Sequence, residues 1–211
     1  MRFYADIFYF PWLRYRVNSP SGGYELYGIW ETRLGPLRGI LRYKRERKSI
    51  NSDVQENYYA ILPQLKEYCK LRIIWPVSEK LQLQTRLETS RFKPGDESNS
   101  YGYFFCQDVS WFTISDKLEL SGRMAWFHAE EYETRIYAYE RDISFAGFSQ
   151  MHYGKGWRLM FLVKWQLSAQ LRIGAKIAQS RYPDKTSIGT GLNEIQGNRR
   201  TEIKFQIMAD F

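Results

Sequence analysis

Apolar and polar residues alternate along most of this chain with a period of two, the spacing that puts successive side chains on opposite faces of a β-strand. The last segment, 200–211, shows the pattern most clearly. One face carries Arg200, Glu202, Lys204, Gln206, Met208 and Asp210, and the other carries Thr201, Ile203, Phe205, Ile207, Ala209 and Phe211. In 157–168, Trp157, Leu159, Phe161, Val163, Trp165 and Leu167 oppose Arg158, Met160, Leu162, Lys164, Gln166 and Ser168. In 170–180, Leu171, Ile173, Ala175 and Ile177 oppose Gln170, Arg172, Lys176 and Ser180. The same alternation predicts strands over 80–91 and 117–127. Further strands are expected over 3–17, 24–34, 38–48, 68–77, 101–114 and 135–148, while 54–62 is ambiguous. The chain therefore reads as all-β, with about ten to twelve strands and no helix.

Alternation alone does not say which face meets solvent, because a soluble sheet also has one apolar face, turned inward. Strand length separates the two cases. Globular strands average about five or six residues, whereas a tilted membrane-crossing strand needs about nine to eleven, and these segments run nearer the second figure. Aromatic residues also gather toward segment ends, at 8–12, Tyr101 and Tyr103, Trp111 and Phe112, and Trp126 and Phe127, which suits the interfacial girdles of membrane barrels. The expectation is an antiparallel up-and-down transmembrane β-barrel, or part of one, formed by 1–211 as a single domain. A soluble β-barrel binding protein is the alternative.

The connections fit a barrel with tight turns at one rim, at Gly35 and Pro36, Ser78 and Glu79, Asp116 and Ala169, and longer loops at the other, at 93–100 and 183–198. Counted with the strands above, however, the turn at Asp116 and the loop 93–100 fall on the wrong rims. A crossing between about residues 115 and 155 is miscounted in the alternation pattern.

Composition narrows the reading. Aromatic residues make up 17% of the 211 residues, yet mean hydropathy is -0.53, so apolar and charged positions are finely interleaved. No run approaches the roughly 18 apolar residues of a membrane helix. The net charge of +8 comes from 31 Lys and Arg scattered among 23 Asp and Glu, with the densest basic run at 42–48, which reads as a solvated strand face rather than a nucleic-acid surface. Cys69 and Cys106 lack the spacing of a disulfide framework or metal site and read as packing residues. The N-terminus lacks the apolar stretch and cleavage site of an export leader. An exported barrel needs one, so the chain is expected to be the C-terminal part of a longer protein.

Candidate chemistry is sparse. Gly154, Lys155 and Gly156 lack P-loop spacing and read as a turn. His128 and His152 show no Ser-His-acid arrangement in their spacing. Glu140 and Asp142 share a strand face roughly 7 Å apart, as an acid/base pair would. The preferred reading is structural: they pair with arginines such as Arg123 and Arg158 on neighbouring strands and, with Arg172, form a polar cluster that holds the lumen closed. Tyr137 and Tyr139 are then expected on the opposite face, near an interface. No catalytic, cofactor-binding or metal-binding residue is assigned, and no cofactor is expected.

Two resemblances add to this. The terminal Phe211, with Phe205, Ile207 and Ala209 at alternate positions before it, resembles the signal by which the outer-membrane assembly machinery recognises barrel substrates. The runs 135–142, 153–158 and 191–198 resemble the C-terminal barrel region of Bacteroidota outer-membrane proteins that carry helix-hairpin-helix repeats in front of the barrel, over roughly residues 73–211. That resemblance implies an outer-membrane location, membrane lipids and the assembly machinery as partners, and a link to DNA handling only indirectly, through repeats in front of this region. The function expected is a non-enzymatic channel, anchor or docking platform. The alternative of another class is a barrel enzyme acting on lipid.

Overall fold

The computed structural model describes residues 1–51, 60–95, 97–113, 117–189 and 191–210. Its strands are β1 (Arg2–Phe10), β2 (Ser21–Leu34), β3 (Leu37–Asn51), β4 (Ile61–Pro76), β5 (Leu81–Pro94), β6 (Ser100–Phe112), β7 (Leu118–Ala129), β8 (Ile136–Glu140), β9 (Phe148–His152), β10 (Gly154–Gln166), β11 (Leu171–Arg181), β12 (Ser187–Ile188), β13 (Ile195–Gln196) and β14 (Arg199–Ala209). Ten of them form one antiparallel up-and-down sheet in the order β1-β2-β3-β4-β5-β6-β7-β10-β11-β14. Its members are nine to sixteen residues long. The sheet is open: β1 and β14 each pair on one side only, so barrel closure is not among its described contacts.

The miscounted crossing is now explained. Segment 135–148 is not a strand of the main sheet. It supplies β8 and the turn into β9, a separate two-stranded hairpin, while β7 pairs directly with β10 over Leu118–Ala129. With the hairpin set aside, the connections 35–36, 77–80 and 167–170 lie at one rim, as do the ends of β6 at Phe112 and of β7 at Leu118. The connections 11–20 and 130–153 lie at the other, as do the strand ends Asn51 and Ile61, Pro94 and Ser100, and Arg181 and Arg199. Alternation misassigned 135–148 because a hairpin lying on a sheet face also has one covered side, and so carries the same period of two.

Smaller corrections have local causes. The first strand stops at Phe10 rather than residue 17, because Pro11 offers no backbone N–H for the ladder. Beyond it only an isolated bridge joins Arg14 and Val17. β4 begins at Ile61, earlier than expected, and accommodates Pro63 near its end, where the Pro63 carbonyl accepts from the Gly95 N–H at 2.8 Å. The loop 183–198 contains the short hairpin β12/β13. The ambiguous stretch 54–62 falls largely outside the described residues, as does the turn residue Asp116.

The two faces of the sheet differ in kind. Register places Trp30, Leu41, Leu71, Leu87, Phe105, Trp126 and Trp157 in one row across seven strands. The next row but one on the same face holds Trp75, Leu83, Val109, Gly122, Phe161, Ile177 and Ile203. Much of this apolar face is open: Phe205 is 66% exposed, Ile203 74% and Phe161 48%. The opposite face carries Arg86, Asp108, Arg123, Arg158 and Lys176, all buried. Burial is therefore inverted relative to a water-soluble sheet, in which the charged face is the exposed one.

Candidate functional site

The β8/β9 hairpin lies on the polar face and is held there by apolar contact, by its backbone and by charge. Ile136 and Ala138 of β8 pack against Phe104 and Cys106 of β6 and Ala125 and Phe127 of β7, with Tyr182 beside them. A second patch sets Ile143 against Met160, Leu162 and Ala178. His152 of β9 is buried, its ring 4.7 Å from Phe104 and 4.9 Å from Phe127 between centroids. Three carbonyls, one just before β8 and two on its edge, accept from donors of the sheet. Ser90 Oγ donates to Thr134 O at 2.6 Å, Arg86 Nη2 to Tyr137 O at 2.9 Å and Arg123 Nη1 to Tyr139 O at 2.6 Å. This leaves the edge no carbonyl to offer another strand at those positions. Close approach here requires glycine, since a Cβ at Gly102 would sit 2.2 Å from Thr134 O.

One alternate position beyond Ala138, Glu140 points the same way and meets charge. Arg158 forks onto it, Nε to Oε2 at 2.8 Å and Nη2 to Oε1 at 2.7 Å, the bidentate geometry that the planar guanidinium favours. Lys176 Nζ lies 2.9 Å from both Glu140 and Asp142. Lys204 Nζ lies 2.7 Å from Asp142 and 2.9 Å from Glu202, and Glu202 returns to Arg158 at 3.4 Å. Three carboxylates and three cations thus close a ring that ties the hairpin to β10, β11 and β14. Burial alone would push the Glu140 and Asp142 carboxyls up. The hydrogen bonds and charge of Arg158 and Lys176 on Glu140, and of Lys204 and Lys176 on Asp142, outweigh it and hold both below their ordinary values. With two cations on each, neither carboxylate is arranged to carry a proton near neutral pH.

Of the residues singled out from sequence, Glu140, Asp142 and Arg158 meet in this ring. Arg123 stands next to it, paired with Asp108 at 2.7 Å and reaching the hairpin through the Tyr139 carbonyl. Arg172 does not take part. It lies at the short-turn rim, exposed and paired with Asp210 at 2.6 Å, because register puts it opposite Met208, four residues along β11 from Lys176. Lys176, Lys204, Glu202 and Asp108 complete the arrangement and were not assigned to the cluster from sequence. Their signal was available in part, since Lys176 and Lys204 occupy the polar positions of β11 and β14. Tyr137 and Tyr139 do point away from Glu140, but they border the uncovered part of the polar face rather than an outer interface. Phe205 and Ile207 stand exposed on the apolar face. Phe211 lies outside the described residues.

Burial holds the His152 imidazole neutral, pushed down to about 3. Wedged between two phenylalanine rings, it is a packing residue of the hairpin. His128 belongs to the opposite face, in register with Tyr103 and Lys155. No protein-family model and no curated protein matches the chain.

Proposed function

We propose that this chain is the membrane-embedded sheet of an outer-membrane β-barrel, occupied on its lumenal face by the β8/β9 hairpin, and that it acts without catalysis as an anchor, docking platform or gated channel. The observation that carries the proposal is the inverted burial: tryptophan, phenylalanine and isoleucine stand open on one face while a ring of ion pairs is buried on the other. Lys or Arg turned toward lipid at the bilayer midplane costs about 2–4 kcal/mol, so lipid favours the face that carries the apolar rows. Strands of nine to sixteen residues are long enough to cross a hydrocarbon layer. The separation of short and long connections to opposite rims also suits such a barrel.

On this reading β1 and β14 are the edges across which the barrel is completed, and the assembly machinery recognises the terminal strand through Phe205, Ile207 and Phe211. The resemblance to the C-terminal barrel of Bacteroidota proteins with helix-hairpin-helix repeats extends the proposal. Any nucleic-acid role belongs to repeats in front of this region, and the barrel anchors them at the envelope. Quenching of tryptophan fluorescence tests the lipid contact. Protein refolded into bilayers of brominated lipid should lose most of the emission contributed by Trp30, Trp75, Trp126 and Trp165. Emission equal to that in unbrominated lipid would favour the soluble binding protein instead.

A further inference from the structure

The hairpin covers only part of the polar face, and the part left uncovered differs in its charge. Around the hairpin, cations and carboxylates match: Arg123 with Asp108, Arg141 with Glu119, and the ring of three pairs. Over β3, β4 and β5 they do not. Register sets Arg42 directly across from Lys70, and Arg72 directly across from Arg86, arrangements in which like charges repel. Glu88 answers Lys70 at 2.6 Å and also Arg86, whose guanidinium is further held by the Tyr137 carbonyl. Among the described residues, neither Arg42 nor Arg72 has a carboxylate within ion-pair distance, and the Arg42 Nε is buried without a hydrogen-bond partner. These four cations line a cavity of about 230 Å³ whose described lining includes no carboxylate. It adjoins a second cavity of about 370 Å³ that shares Arg42, Lys70 and Tyr137 and adds Tyr27 and Tyr68, with the carboxylates Glu88 and Glu133, paired with Lys70 and Lys66, also in its lining.

We propose that this pair of cavities is a binding site for a small molecule bearing a phosphate or diphosphate. The anionic group sits among Arg42, Lys70, Arg72 and Arg86, and the body of the molecule lies against Tyr68 and Tyr137. Guanidinium forks match phosphate oxygens bidentately, and a bound dianion would offset the repulsion between facing cations and give the buried Arg42 Nε an acceptor. The site needs only the polar face and its hairpin, so it stands whether or not lipid covers the other face.

The test is calorimetric titration of the refolded full chain in neutral detergent with inorganic pyrophosphate, at constant ionic strength. Saturable binding at one site is expected, with Arg42→Gln and Arg72→Gln each weakening it at least tenfold and Arg172→Gln leaving it unchanged. Both cavity variants remove a charge from a repelling group, so their thermal stability without pyrophosphate should equal or exceed the parent's. A parallel titration in phosphatidylcholine nanodiscs containing phosphatidic acid identifies the source. Loss of pyrophosphate binding there means that a lipid headgroup occupies the site, and unchanged binding means a soluble phosphate compound. No saturable binding in detergent, or equal affinity in parent and Arg72→Gln, overturns the proposal.

Discussion

Glu140 is 2% exposed and gathers Arg158 and Lys176 around it, which makes it the residue on which the hairpin's attachment turns. An ion pair open to water is worth on the order of 1 kcal/mol or less. Burial changes that magnitude, since losing the Glu140 charge leaves Arg158 only the 3.4 Å ion pair with Glu202 and leaves Lys176 dependent chiefly on Asp142, at about 3–5 kcal/mol. Glu140→Gln should therefore destabilise the protein by about that amount in denaturant titration, whereas Arg172→Gln, at an exposed rim pair, should change it by less than about 0.5 kcal/mol. His152 gives a second test at this scale. Its folded pKa, near 3, lies below its unfolded value, so the unfolded chain takes up protons first as pH falls. Stability should be full above about pH 6.5 and decline steadily toward pH 3. Glu140 and Asp142, also lowered, add a further loss below their ordinary carboxylate values. His152→Phe should flatten the decline between about pH 6.5 and 4.5 and leave the more acidic part, as unfolding midpoints measured across pH would record.

At the scale of elements, β10, β11 and β14 were the most legible parts of the chain, because each carries a run of apolar residues at alternate positions: Trp157 to Trp165, Leu171 to Ile177 and Ile203 to Ala209. β6 and β7 were less so. Phe104, Cys106, Ala125 and Phe127 put apolar residues on the polar face, and they do so where β8 packs on it. That local break in alternation was the available signal for a covering element, but nothing in 135–148 distinguishes a strand that joins a sheet from one that lies on it. The ion ring was half legible for a related reason. Glu140, Asp142 and Arg158 stand close to one another in sequence or on facing segments, whereas Lys204 reaches Asp142 across 62 positions. Its partnership depends on where the hairpin lies, which local pattern does not encode. The hairpin's seat on Gly102 follows from contact with the Thr134 carbonyl, so Gly102→Val should displace it while leaving the pairing of β6 with β7 in place. Amide exchange should then accelerate over Ile136–Glu140 and Phe148–His152 and remain slow in β7. Uniform acceleration across the sheet would mean that the hairpin is not a separate cooperative unit.

For the whole molecule, the decisive property is which face avoids water. An open row of tryptophan, leucine and phenylalanine across seven strands would be an aggregation liability in solution, and the same row is the ordinary surface of a protein in lipid. The electrostatics agree with that orientation, since the polar face binds its own hairpin through buried ion pairs and keeps an unbalanced cationic patch beside it. Single-cysteine labelling of protein in bilayers, in a Cys69→Ser and Cys106→Ser background, tests the assignment most directly, using a membrane-impermeant maleimide. Cysteines placed at Phe161, Trp165, Phe205 and Ile207 should stay unmodified while those at Lys164, Lys204 and Gln206 react. Rapid labelling of the Phe205 set with protection of the Lys204 set would contradict the account and assign the apolar face to water.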